Sequence, residues 1–381
     1  GMGTSVIAPA ERSAACDPVA TSTRSSGATI ASALNTSDGD AIRGALADVV
    51  WHCEAPLLRT APIPMFLLSR LVRDSGTKTV LSGEGADELF AGYTIFKEDQ
   101  IRRFAARQAA SPVRPALLNR IHHYVGDARV RATPFWQDFF RRNVADAAHP
   151  FYSHLIRWQN NAWTLRLLTP DVQRAADLPT TMERLESSMP TGWQSWDSLL
   201  RAQVIEIHSF LSSYLLSSQG DRVAMAHGVE VRYPFLDPEV IDFAMTLPRR
   251  HKLLGLRDKI ILRRLAQRLL PPTVAGRKKK PFRAPIAPVL FGKEAGSAFD
   301  ALLAAGDDGL VDHTVARKLI AKVRLHDGRA AGEREEMGLI GVLSLRMLAH
   351  QYGAAFPARA EDARRRLQQS QVHVLEDRIS G

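Results

Sequence analysis

The sequence predicts an α/β fold, in which a parallel sheet is followed by a predominantly helical C-terminal part. An apolar run at 77–81 has the length of a short strand and ends in a turn of small and acidic residues. A helical pattern at 65–72 precedes it, and strand patterns nearly vanish after Tyr93. A helix, then a strand with a ligand-binding turn at its carboxyl end, is typical of open parallel sheets.

The N-terminal residues 1–40 are rich in Ala, Ser and Thr and show neither helical nor strand periodicity. We expect a disordered leader there. Four apolar residues at helical spacing then predict a short amphipathic helix: Ile42, Leu46, Val49 and Val50. The next predicted helix, 65–72, is closed by Gly76.

The remainder of the chain, over 97–350, reads as a series of helices separated at prolines. The clearest is 197–218, whose apolar residues recur at helical spacing and are expected in the core: Leu200, Val204, Ile207, Leu211, Tyr214 and Leu215. The predicted domains are therefore a leader at 1–40, one domain at 41–355 and a charged tail at 356–381.

Composition limits the functional classes. The 381 residues are 45% hydrophobic, enough for a packed core, and contain no run of about 18 apolar residues that would predict a membrane span. The two cysteines cannot build a disulfide framework, and we expect a cytoplasmic protein. The net charge is +10, but the basic residues are scattered rather than interleaved with aromatics. Nucleic acid is not a predicted partner.

The turn that follows the predicted strand carries the chemistry. A turn that opens onto a helix offers backbone N–H groups and the positive end of the helix dipole, which suit phosphate. Glu84, Asp87 and Glu88 would repel a phosphate unless a divalent cation lay between them. An acid that caps the helix is the structural alternative, but three acids within five residues exceed that need. We therefore predict a magnesium–phosphate site.

Three stretches in order carry a family resemblance: Ser82-Gly83-Glu84-Gly85-Ala86-Asp87-Glu88, then Asp221-Arg222 through Pro234-Phe235-Leu236-Asp237, then Lys259-Ile260-Ile261-Leu262-Arg263 with Arg277-Lys278-Lys279-Lys280-Pro281-Phe282. They resemble the synthetase domain of asparagine synthetase, the glutamine-hydrolysing amide-forming ligase. The resemblance covers about residues 40–350. It implies an adenine-nucleotide-hydrolase-like (ATP-pyrophosphatase) sheet, here truncated, and a helical C-terminal part.

The resemblance also implies roles for individual residues. Glu84 matches a glutamate in the chemistry of adenylate formation or ammonia attack, and Asp87 matches an aspartate near magnesium and pyrophosphate. Small residues of the turn would allow close approach of ATP: Ser82, Gly83 and Gly85. Lys279 matches a lysine that neutralises phosphate charge, since an ammonium stabilises the negative charge built when a carboxylate attacks the α-phosphate.

The second stretch is implied to shape the acceptor pocket through Asp221 and Arg222, because a guanidinium suits an amino-acid carboxylate. A structural interpretation is favoured for the rest of that stretch: Glu230 and Arg232 as a buried ion pair, and Asp237 at the turn that begins the next helix. For Lys259 and Arg263, an exposed helical face and a role in the site are equally compatible with the sequence.

Two parts of the family pattern are not found in the sequence. The loop Ser-Gly-Gly-x-Asp-Ser is absent, and the nearest string, 25–31, lacks the second Gly and the Asp. We expect the first strands of the sheet to be missing, which would leave an edge of strand 77–81 exposed. The chain also opens without the N-terminal cysteine of the glutaminase half, so we expect it not to hydrolyse glutamine by itself.

The resemblance implies ATP-dependent conversion of aspartate to asparagine, through an aspartyl-adenylate that ammonia attacks. ATP and Mg²⁺ are the implied cofactors, and a separate glutaminase subunit or N-terminal half is the implied partner. The truncation leaves three alternatives. The chain is a synthetase domain that acts with a partner, a related amide- or lactam-forming ligase of secondary metabolism, or a non-catalytic remnant or scaffold.

Overall fold

The computed structural model describes residues 39–111, 113–121, 139–176, 178–276, 286–292, 295, 300, 308–326 and 332–369. Its α-helices are α1 Gly39–Cys53, α2 Pro62–Asp74, α3 Ala86–Leu89, α4 Thr94–Ala106, α5 Tyr152–Asn161, α6 Pro170–Ala175, α7 Leu178–Ser187, α8 Ser198–Glu206, α9 Arg222–Met225, α10 Pro238–Thr246, α11 Arg249–Lys252, α12 Ile260–Leu269, α13 Pro272–Ala275, α14 Ala287–Phe291, α15 His313–Leu325, α16 Glu333–Tyr352 and α17 Phe356–Gln369. The strands are β1 Thr79–Leu81 and β2 Glu230–Arg232. Short 3₁₀ helices lie at Arg114–Arg120, Val144–Asp146, Ala162–Leu167, Trp193–Ser195 and Pro234–Leu236.

The sheet of the described chain consists of β1 and β2, which run parallel with Val80 opposite Val231. The backbone N–H of Ser82 extends the ladder to the carbonyl of Arg232 at 2.8 Å. β1 confirms the predicted strand, although it begins two residues later than Thr77. β2 was not predicted, because three residues are too few for alternation to be recognised. The fold is therefore mostly helical, with a small parallel sheet.

One face of the sheet is covered by α2 and by the region of α9. Leu68 and Val72 of α2 pack with Ala224 and Val229, and the inward residues of the two strands contact this cluster. The predicted helix 65–72 is thus confirmed, with three further residues before it and two after. Two prolines near its start supply the fixed φ that a first helical turn accepts.

The largest core lies between α1, α2, α15 and α16. All four apolar residues that predicted the first helix are buried there: Ile42, Leu46, Val49 and Val50. The predicted leader ends at residue 40, and helix α1 already starts at Gly39, so the two overlap by two residues. The first 38 residues of the predicted leader lie outside the described ranges. No helix of the described chain is long and apolar enough to span a membrane.

Shortening a side chain of this core is expected to lower the free energy of unfolding. Leu46 is fully buried, so Leu46→Ala should lower the free energy of unfolding by about 2–5 kcal/mol, through lost apolar burial and a residual cavity. Leu325 is 81% exposed, and Leu325→Ala should change the free energy by less than about 0.5 kcal/mol. Urea unfolding followed by circular dichroism measures both, and equal effects would contradict the placement of this core.

The predicted helix 197–218 changes type within its length. It is α-helical to Glu206 and continues as a π-helix over Ile207–Asp221. In a π-helix each backbone N–H donates to the carbonyl five residues earlier. Serine hydroxyls donate to carbonyls four residues earlier, as Ser209 does to Ile205 at 2.6 Å. Three residues of the predicted apolar stripe are buried: Val204, Leu211 and Leu215. The predicted helix is confirmed, and its type changes after Glu206.

Candidate active site

The acidic turn lies where the sequence predicts it, between the end of β1 and the short helix α3. Gly85 has φ of 89°, the left-handed region that favours glycine. A Cβ there would also lie 2.3 Å from Leu236 Cδ2. Gly85, and not an acid, occupies the N-cap position of α3, so helix capping does not explain the three carboxylates.

Asp87 forms an ion pair with Lys259, whose Nζ lies 2.9 Å from Asp87 Oδ1. Lys259 precedes α12 with φ of 48°, and its backbone N–H bonds the carbonyl of Phe90 at 3.2 Å. The Lys259 ammonium thus lies beside the turn rather than on an exposed face. Gly92 permits this approach, since a Cβ there would be 1.9 Å from Asp87 Oδ1 and 2.2 Å from Lys259 Cε.

Glu88 points into the protein and is completely buried. The Tyr93 hydroxyl donates to its Oε1 at 2.7 Å, and its Oε2 has no hydrogen-bond partner among the described residues. Burial raises the pKa of Glu88 to about 7, although the bond from Tyr93 opposes that rise. The sequence did not separate Glu88 from its two neighbours, since burial depends on residues distant in the chain.

The carbonyls of α3 are held by a second buried group. Gln203 Nε2 donates to the carbonyls of Glu88 and Leu89 at 2.5 and 2.7 Å. Lys252 Nζ donates in turn to Gln203 Oε1 at 3.2 Å, and burial lowers the pKa of this lysine to about 8. Gln203 and Lys252 were not predicted as site residues, because no local sequence pattern connects them to the turn. The two bonds from Gln203 therefore hold the backbone of α3, and Lys252 holds Gln203.

The buried carboxyl of Glu88 is expected to make stability depend on pH. The pKa of this carboxyl is about 7 in the folded state and near its ordinary value of 4.5 in the unfolded state, so the folded state binds the proton more tightly. The free energy of unfolding should therefore fall as pH rises from 4.5 to 7, by about 1.4 kcal/mol per pKa unit at most. Glu88→Gln keeps the shape without the titration and should reduce that fall. Urea unfolding at several pH values measures it, and an unchanged pH dependence would contradict the burial.

Tyr233 directly follows β2, and the acidic turn directly follows β1. Because the two strands are parallel, Tyr233 and the turn lie at the same edge of the sheet. Its hydroxyl donates to Asp221 Oδ1 at 2.8 Å. Burial, Asp221 and the nearby charge of Glu84 together raise the pKa of Tyr233 well above its usual value. Asp221 and Glu84 thus lie at the same edge.

Arg222 lies on another side of the same segment. Its Nη1 donates to Glu54 Oε2 at 2.6 Å, just beyond the end of α1, and its Nε contacts Ser217 Oγ at 3.2 Å. The structure therefore gives Arg222 a carboxylate partner from the protein itself. Asp221 and Arg222 are consecutive residues, but they have different surroundings.

Asp237 has the structural role predicted for it, whereas Glu230 and Arg232 do not form the predicted buried pair. Asp237 caps α10 by accepting from the backbone N–H of Glu239 at 2.9 Å. Glu230 and Arg232 form an ion pair at 2.8 Å, but both side chains are more than half exposed, so the prediction of a buried pair is wrong. Arg263 donates to Asp258 at 3.0 Å and so serves the packing of α12.

Part of the predicted site lies outside the described residues. Lys279 and its loop, 277–282, and the string 25–31 lie outside the described residues. Within the described chain no cluster of three or more His, Cys, Asp or Glu side chains forms a metal cage. Mg²⁺ in phosphate sites commonly uses one or two carboxylates plus phosphate oxygens and water. Asp87, the predicted magnesium ligand, offers one such carboxylate on the acidic turn, where it is paired with Lys259.

Comparison with known proteins places the sequence in a family. A sequence model described as asparagine synthase matches residues 23–350. A putative glutamine-hydrolysing asparagine synthetase of Mycobacterium tuberculosis is 28% identical over 331 residues, or 82% of this chain and 45% of the relative. A glutamine-hydrolysing asparagine synthetase of Bacillus subtilis is 30% identical over 248 residues, 63% of this chain and 36% of the relative.

A protein named amidase chyE, from Penicillium rubens, is 26% identical over 273 residues, which cover 65% of this chain and 38% of the relative. The chain thus spans less than half the length of these curated relatives. The family match itself extends over most of the chain and includes the acidic turn, β2 and Lys259. The chain belongs to the asparagine synthase family.

Proposed function

We propose that this chain catalyses ATP-dependent amide formation, converting aspartate to asparagine through an aspartyl-adenylate. The observation that carries the proposal is the edge where both strands end, with Glu84, Asp87, Lys259 and Asp221 around it. Membership of the asparagine synthase family supports the same chemistry. Two steps are required. A side-chain carboxylate oxygen displaces pyrophosphate from the α-phosphorus of ATP, and ammonia then displaces AMP from the acyl carbon.

The turn supplies the phosphate side of the proposed site. Ser82, Gly83 and Gly85 present backbone to the triphosphate with little side-chain obstruction. Asp87 would hold Mg²⁺ against the phosphates, and the cation would neutralise charge on the leaving pyrophosphate. Lys259 balances the charge of Asp87 at 2.9 Å and keeps its carboxylate oriented toward this edge.

The remaining roles concern the acceptor and the second step. Glu84 lies at the edge and would accept the proton that ammonia loses on attack. Lys279 would stabilise charge on the α-phosphate as the adenylate forms. Asp221 and Arg222 would bind the amino acid, with Arg222 exchanging Glu54 for the substrate carboxylate. Ammonia would come from a separate glutaminase subunit or from an N-terminal half.

Release of AMP tests this function. The purified chain is incubated with ATP, Mg²⁺, ammonium and aspartate, and AMP and asparagine are measured beside the Glu84→Ala variant. We expect equal amounts of AMP and asparagine from the wild type, and AMP that depends on aspartate. No AMP from the wild type would contradict the proposal and favour the non-catalytic alternative.

A second candidate function is a related ligase that builds another amide or lactam. The similarity to the protein named amidase chyE, over 65% of this chain, favours it only in that the relatives include a protein not named asparagine synthetase. The same assay separates the two candidates when aspartate is replaced by a panel of amino acids and dicarboxylates. AMP release that depends on another acid and not on aspartate would support the second candidate.

A further inference from the structure

A cavity of about 330 Å³ is lined by residues from four parts of the chain, one of which is α5 with Gln159 and Asn160. Arg142 comes from the segment before the 3₁₀ helix Val144–Asp146, and Arg334 from the first turn of α16. Trp163 and Arg166 come from the 3₁₀ helix Ala162–Leu167. Among the described residues that line this cavity, none is assigned above to the phosphate or acceptor site.

Three arginines line this cavity, and its described lining contains no acidic residue. Among the described residues that line it, the other polar side chains are the carboxamides of Gln159 and Asn160, and no carboxylate is present. Within the described ranges, no ion pair links Arg142, Arg166 or Arg334 to an acid. By contrast, Arg59 and Arg157 pair with Glu333 and Glu98. Three cations around one space repel each other, and an anion between them would relieve that repulsion.

The walls of the cavity are held in place by buried groups. Arg102 is 1% exposed and donates to the carbonyls of Phe140 and Arg142, the latter at 2.9 Å, which fixes the backbone that carries the Arg142 side chain. On the opposite wall, a Cβ added at Gly338 would be 3.5 Å from the Trp163 ring, so α16 packs closely against it. The Arg334 guanidinium lies 5.3 Å from the centre of that ring. The backbone at Arg142 and the guanidinium of Arg334 are therefore held in place.

We propose that this cavity binds a compact anion with two or more negative charges, through phosphate or carboxylate oxygens held by Arg142, Arg166 and Arg334. A guanidinium presents paired N–H groups that match either oxyanion. The volume lies at the lower end of the range for small-molecule sites, which suits a compact ligand rather than a polymer. The carboxamides of Gln159 and Asn160 would donate to the remaining oxygens.

Isothermal titration of the full chain with pyrophosphate and with citrate, at low salt and without magnesium, tests the proposal. We expect at least one of them to bind, and acetate to bind at least about tenfold more weakly, because one charge cannot satisfy three guanidiniums. Tighter binding of pyrophosphate would assign the site to phosphate compounds, and tighter binding of citrate would assign it to polycarboxylates. Failure of both anions to bind would overturn the proposal.

Variants then locate the binding. Arg142→Ala and Arg166→Ala should each weaken the binding at least about tenfold, the loss of one charge-assisted bond. Arg166 is exposed, so its removal should leave the fold intact, and the melting temperature checks this. Arg73→Ala removes an exposed charge from α2, which does not line the cavity, and should change the affinity less than about twofold.

Pyrophosphate is also a product of the proposed reaction, so Lys259→Ala provides the decisive comparison. If the cavity binds the anion, Lys259→Ala should retain the affinity that Arg166→Ala loses. If Lys259→Ala loses it and Arg166→Ala does not, the anion binds at the acidic turn and the cavity proposal is wrong. Either result leaves the AMP assay unaffected, so failure of this proposal is distinguishable from failure of the proposed function.

Discussion

Glu84→Ala is expected to lower amide synthesis at least ~100-fold, the cost of removing a group that acts on charge in the transition state. Glu84 is half-buried on the turn after β1, close enough to Tyr233 to raise that residue's pKa. Lys279→Ala should cause a loss of similar size if its ammonium stabilises the α-phosphate. Initial rates of asparagine formation at saturating ATP and aspartate measure both.

Matched controls come from exposed residues of the same types. Glu239→Ala removes an exposed acid from the first turn of α10, and Lys318→Ala removes an exposed cation from α15. Both should retain the wild-type rate within about twofold, since surface changes of this kind seldom matter. Near-normal rates for Glu84→Ala and Lys279→Ala would show that the site has been assigned to the wrong residues.

Gly92→Ala is expected to damage the site without removing any charged group. The added methyl would lie 1.9 Å from Asp87 Oδ1 and 2.2 Å from Lys259 Cε, so the two side chains cannot keep their ion pair at 2.9 Å. We expect amide synthesis to fall at least ~10-fold, because misplacement of a positioning group by about 1 Å can cost more than that. Stability should fall by about 1–3 kcal/mol from overpacking.

Gly44→Ala is the matched control for this substitution. Gly44 lies within α1, and an added Cβ would have no neighbour within 4 Å. Alanine there should raise stability by about 0.5–1 kcal/mol through helix propensity and leave the rate of amide synthesis unchanged. If Gly92→Ala were as active as Gly44→Ala, the ion pair of Asp87 and Lys259 would have no part in positioning the site.

The local parts of the site could be predicted from sequence because each had a local cause. Small and acidic residues directly after an apolar run indicated a turn at the end of a strand, and β1 with its turn occurs there. Four apolar residues at helical spacing indicated α1, and all four are buried. The order of three motifs indicated the family, which the match over residues 23–350 confirms.

The remaining features depend on contacts between residues far apart in the chain. Gln203 bonds α3 from a position more than 100 residues downstream, and Lys252 bonds Gln203 in turn, so no spacing rule connects them to the turn. Strand β2 is three residues long, and its pairing with β1 rather than its pattern defines it. The π-helix after Glu206 keeps the apolar stripe of an α-helix, and only the backbone hydrogen bonds distinguish it.

The most direct test of the proposed chemistry follows an oxygen atom. Aspartate labelled with ¹⁸O in its side-chain carboxylate is supplied with ATP, Mg²⁺ and ammonium, and the AMP is analysed by mass spectrometry. A carboxylate oxygen that bonds the α-phosphorus must leave with AMP when ammonia attacks the acyl carbon. The account therefore predicts one ¹⁸O atom in each AMP, together with asparagine. Asparagine formed with unlabelled AMP, or with ADP in its place, would contradict an aspartyl-adenylate.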